Sequence, residues 1–170
     1  MRRRSVVAAG AAAPLALAGC GVKPVAGFPD IASALRTLAA LPPTARMAEG
    51  WALPQVLEHA AQSIEFSLRG FPQLKPAWFS ATVGKLAFAA FDARGRMSHG
   101  LSEPIPGAPA LATALSLPDA VARLSQALRE FDAHTGALQP HFAYGALDKG
   151  AYARAHLMHL ADHWQQFRAS

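Results

Sequence analysis

Three of the seven histidines in this 170-residue chain crowd into one short stretch, His156, His159 and His163. At about 100° per residue all three share one face of a helix. His159 and His163 are one turn apart on the same stripe, a spacing at which two imidazoles reach one metal ion. A catalytic centre of the zinc type takes three protein ligands and keeps one position open. His59 is the natural third ligand. It stands about five residues into one predicted helix, while the pair lies about four to eight residues before the end of another. These offsets bring the three rings to one level only if the two helices run antiparallel. His156 is a rival ligand, but about 10.5 Å of helix axis separates it from His163, so one ion cannot readily take both. The competing reading of the pair is a surface site, favoured only by the negative end of the helix dipole.

Polar groups beside His59 are few. Gln62 shares its helix face and is expected to support the open position of an ion. Glu58 is expected to face solvent. His141 and Tyr144 precede the last helix, whereas the pair lies near its end, so both are expected to stand apart from the site. No general base is recognisable, which leaves open whether the chain is an enzyme.

The elements that must position these residues read as helices. Asp30 suits an N-cap, with Ile31, Leu35 and Leu38 on one face and Pro42-Pro43 beyond. Pro54 opens a helix to about residue 69, closed by Gly70. Pro76 opens another to about residue 94, apolar around most of its girth, and such a helix is expected to be packed on more than one side. Its aromatics Trp78, Phe79, Phe88 and Phe91 suit core, with a ligand cavity as the alternative. Residues 95–117 form a long loop of the kind that is functional or a crossover. Pro118 and Asp119 start a fourth helix ended by Gly136, and Asp148 caps a last one to about Phe167. No sustained period-2 alternation exists, so the class is all-α.

The N-terminus reads as an export signal. Arg2, Arg3 and Arg4 precede the uncharged run Val6–Ala18, too short for a stable spanning helix. Leu17-Ala18-Gly19-Cys20 resembles a bacterial lipobox, which makes Cys20 the lipidation site, and Arg3-Arg4-Ser5-Val6-Val7 resembles a twin-arginine signal. Residues 1–20 are therefore a signal peptide, 21–29 a tether and 30–168 the domain. The expected location is the periplasm or the periplasmic face of a membrane, held through the lipid alone. Cys20 is the only cysteine, so no intramolecular disulfide exists. Without the three arginines, 13 basic residues face 11 acidic ones, and they are scattered, which argues against nucleic acid as a partner.

Two stretches resemble the DinB-like superfamily. Trp51-Ala-Leu-Pro-Gln-Val-Leu-Glu-His59 with Gln62-Ser63 is similar to its second-helix motif. His141-Phe-Ala-Tyr-Gly145 with Ala155-His156-Leu-Met-His159-Leu-Ala-Asp-His163-Trp-Gln-Gln-Phe167 resembles the last-helix motif of an uncharacterised branch. The likeness covers residues 30–168. It implies a DinB-like four-helix bundle, here with an additional short helix and a long crossover loop. It also implies a divalent metal, zinc, nickel or iron, held by His59, His159 and His163. Members often carry another His where Asp162 stands, and Asp162 can instead orient an imidazole. The superfamily includes metal-dependent thiol transferases and isomerases. The expected function is a metal-dependent transferase or hydrolase acting on a small-molecule substrate. The alternative is a non-catalytic, membrane-anchored module that binds a metal or a small ligand.

Overall fold

A computed structural model describes residues 23–169. The predicted signal peptide, the lipobox and Cys20 lie outside the described residues. Five helices form the body, in agreement with the all-α expectation: α1 (Ile31–Ala39), α2 (Leu53–Arg69), α3, α4 (Leu117–Ala133) and α5 (Lys149–Trp164). Helix α3 is composite, with Ala77–Phe79, a π turn at Ser80–Gly84 and Lys85–Arg94. Two-residue strands β1 (Arg46–Met47) and β2 (Phe167–Arg168) pair antiparallel and clasp the end of the chain to the segment before α2.

The helix starts follow from local chemistry. The Asp30 side chain accepts the Ser33 N–H, Ser116 accepts that of Asp119 and Asp148 accepts that of Ala151, so each start has a donor satisfied. Between the helices lies one apolar core. Leu57 of α2, Leu124 and Leu128 of α4, and Tyr152 and Met158 of α5 are all but fully buried. Each such side chain contributes about 1.5–3 kcal/mol of burial. Helix α2 packs mainly on α4 and also along α5. Its early residue His59 meets the late His159, and its late residue Ser67 meets the earlier His156. The two helices are therefore antiparallel neighbours, as the histidine spacing requires.

Two expectations need correction. The residues read as a tether belong in part to the domain. Val25 and Phe28 are core residues, Phe28 packs edge-on to Trp164 at 5.3 Å, and Arg154 holds the Lys23 carbonyl at 3.0 Å. Two large apolar side chains in so short a segment find more burial on the bundle than in water. Helix α3 is not packed on several sides. Trp78 is 67% exposed and Leu86 72%, while Phe79, Phe88 and Phe91 are half-buried. Among the described residues α3 packs mainly through its C-terminal half, on α5, and its outer apolar residues stay exposed. No helix among the described residues is long and apolar enough to cross a membrane.

Candidate metal centre

Antiparallel packing brings the predicted rings together. The Nε2 atoms of His59 and His159 lie 3.1 Å apart, and those of His159 and His163 lie 3.2 Å apart. A fourth imidazole joins them. His99, from the long loop between α3 and α4, sets its Nε2 3.2 Å from that of His163. One nitrogen from each of the four rings falls within 4.8 Å of every other. Nitrogens bound at about 2.0–2.1 Å to one ion and subtending about 100° there would be about 3.1–3.2 Å apart, so the three shortest spacings fit a shared cation.

The proton inventory agrees with that fit. Burial pulls His59 down to about 4 and His163 to about 3, and repulsion from the neighbouring rings adds to both. His159 is held well below the ordinary histidine range, first by burial and then by His59, His99 and His163. His59, His159 and His163 are thus neutral near pH 7, the form that ligates metal. Asp162 decides the tautomer of His99. Its Oδ2 lies 2.6 Å from Nδ1 of that ring and also accepts the His99 backbone N–H at 3.1 Å. The ring N–H is bent off the line to that oxygen, so the pair acts more through charge than as a straight hydrogen bond. A carboxylate there favours the proton on Nδ1 and leaves the Nε2 lone pair aimed at the other rings. His59 Nδ1 is buried with no partner among the described residues. Trp51 covers the cluster from outside, its ring 5.0 Å from that of His59 and stacked on His163 at 6.4 Å.

His156 is excluded as a ligand. The Ser67 hydroxyl donates to the Ile64 carbonyl at 2.6 Å, so it can only accept from His156, 3.2 Å away. The Nε2 of His156 therefore carries its proton and faces Ser67, one turn from the cluster. Gln62 is buried but does not serve the site as expected. Its amide donates to the Pro109 carbonyl at 3.2 Å, anchoring the loop that carries His99. Glu58 is not solvated either. It is 6% exposed, accepts the Ala112 N–H at 2.8 Å and pairs with Arg123 at 2.8 Å. Asp162 does orient an imidazole, that of His99.

A cavity of about 220 Å³ opens beside the cluster, with His59, His99 and His159 in its wall. His141 and Tyr144 line the same cavity, against expectation. The cavity runs along α5 rather than ending at the ligands, so a turn near the start of that helix reaches it. The aromatics of α3 do not line it. His99 escaped the sequence reading because a loop has no periodicity to mark an inward residue. The signal available was a histidine in a long proline-rich segment beside a helical His pair.

Over residues 25–170 the chain matches the family described as "Protein of unknown function (DUF1569)", and it belongs to that family. No curated protein and no solved structure matches it.

Proposed function

We propose that this protein is a metal-dependent enzyme, a transferase or hydrolase for a small molecule, with one divalent ion held by His59, His159 and His163 and by His99 as a fourth ligand. One observation carries the reading: four imidazole nitrogens converge, and three of their rings, His59, His99 and His159, form part of the wall of a cavity. An ion there supplies Lewis acidity and lowers the pKa of a bound water or thiol. The chain's own residues do the rest. Asp162 and the loop held by Gln62 and Glu58 fix His99, Trp51 keeps water from the outer side, and the cavity admits substrate from the inner side. The lipobox-like Leu17–Cys20 supports an exported, membrane-tethered location, and the scattered basic residues of the body argue against nucleic acid as a partner.

Metal analysis of untagged protein tests the core of this reading. About one divalent ion per chain is expected, lost in His159→Ala. Protein that binds no ion in the presence of zinc, nickel or iron would overturn it. A second reading has an observation of its own. Four imidazoles fill a tetrahedral ion and leave no open position, which favours a non-catalytic binding module. Turnover of small ester, amide and thiol substrates by the loaded protein separates the two.

A further inference from the structure

Outside the four-histidine cluster this cavity is also lined by His141, whose protonation is fixed by the turn that holds it. The Nδ1 atom accepts two backbone N–H groups, those of Ala143 at 3.1 Å and Tyr144 at 3.2 Å. An atom accepting both must carry a lone pair, so in the neutral ring the proton is on Nε2. The ring is 8% exposed and burial holds it at about 3, so it stays neutral at any ordinary pH. The turn itself is braced. His141 and Gly145 exchange backbone hydrogen bonds of 2.8 and 3.1 Å, Gly145 adopts a positive φ of 76°, and the Tyr144 ring lies parallel to the imidazole at 4.3 Å. The π turn of α3 presses on the other side, since a Cβ at Gly84 would stand 1.8 Å from the Ala143 carbonyl oxygen. The Nε2–H that results has no partner among the described residues, in a ring that lines the cavity.

We infer that His141 is a permanent hydrogen-bond donor for the ligand of this cavity, and that the ligand is a small, largely apolar molecule bearing a carbonyl or carboxylate oxygen. A donor held with both its ring position and its tautomer set discriminates by chemistry. It rewards an oxygen acceptor and leaves an ammonium or N–H group facing like against like. Apolar contact comes from Met97, Ile105, Phe142 and Tyr144, while Lys75 and Glu103 place one charge of each sign in the same wall. A cavity of about 150 Å³ already takes benzene, so this one suits a single substituted ring. The inference rests on the cavity as the ligand site of the proposed function, and not on the ion.

Histidine-labelled full-length protein tests it by ¹⁵N NMR, with benzamide and benzoate as probes and benzylamine as the control. The expected result is an Nε2-protonated His141 whose Nε2 resonance moves with either oxygen-bearing probe and not with benzylamine. His141→Phe should weaken both probes by about tenfold, and His141→Gln, which keeps an N–H donor, should recover part of that loss. A proton on Nδ1 overturns the inference, as does a resonance unmoved by both oxygen probes, and neither result requires a variant to fold. Repeating the titration after chelator treatment separates the two readings. Probe binding at His141 in protein that holds no ion under any condition would sink the metalloenzyme and leave this inference standing.

Discussion

At the scale of single residues, the site divides into what a helical period reveals and what it hides. His159 and His163 announced themselves by their one-turn spacing, and His59 by its depth in a helix that had to run antiparallel to theirs. Asp162 and His99 work as a unit that no spacing encodes, because one comes from α5 and the other from a loop 63 residues earlier. Asp162→Asn keeps the shape but removes the charge that holds the His99 proton on Nδ1. Metal affinity should fall about 10–100-fold, measured by competition with a chromogenic chelator, while the helical circular dichroism stays unchanged. An unchanged affinity would show that His99 is not a ligand. Acid should act on two residues outside the cluster as well. Burial lowers His141 to about 3, and burial with repulsion from His141 lowers His156 to about 3. Their ordinary value is near 6.5, so the unfolded chain takes up these protons first as pH falls. Metal-free protein should therefore keep its full stability above about pH 6.5 and lose it progressively from there towards pH 3. Urea midpoints across that range check the sign. Replacing His156 by Gln should flatten the slope.

At the scale of elements, the informative one is α3. Its sequence is apolar around the helix, which reads as an element packed on several sides, yet its outer apolar residues stay exposed. Hydrophobic pattern alone says which residues dislike water and not which neighbours exist. The π turn at Ser80–Gly84 is a second feature without a sequence mark. Its last residue explains itself only in three dimensions, because Gly84 is where the α3 backbone touches the turn carrying His141. Gly84→Ala would drive a methyl group into the Ala143 carbonyl, a backbone atom that cannot swing aside. The cost should be at least about 3 kcal/mol, at the upper end of overpacking, and the His141 resonances should shift with it. The long loop from α3 to α4 offers a second test. It is pinned to α2 through Glu58, whose charge is balanced by Arg123, and Arg123 also takes both oxygens of Glu65 at 3.0 Å. Arg123→Ala leaves a buried carboxylate unpaired. Stability should drop by about 2–3 kcal/mol in thermal or urea melts, and metal binding should weaken with it because the loop brings in His99.

At the scale of the whole molecule, the bundle was legible from caps, prolines and helical spacing, and so was the antiparallel pairing of α2 with α5. The inward turn of residues 23–29 was not legible, since a short apolar segment after a signal reads equally well as a spacer. What the complete fold adds is that the four histidines come from three separate parts of the chain: α2, the α3–α4 loop and α5. A single ion would cross-link all three, and none of the four rings can converge in the unfolded state. Binding free energy at this centre is therefore folding free energy. With free ion at 1,000 times its dissociation constant, the linkage contributes about 4 kcal/mol. For a domain of this size that is a rise in Tm of about 8–16 °C. Excess EDTA should return the protein to the lower melting temperature without changing its helical signal at room temperature, because the core of α2, α4 and α5 does not pass through the histidines. His159→Ala should melt at the lower temperature with or without metal. His156→Gln, one turn away and bonded to Ser67, should keep the metal-dependent shift. If His156→Gln lost that shift while His159→Ala kept it, the ion would be bound one turn along α5, away from the four-histidine cluster.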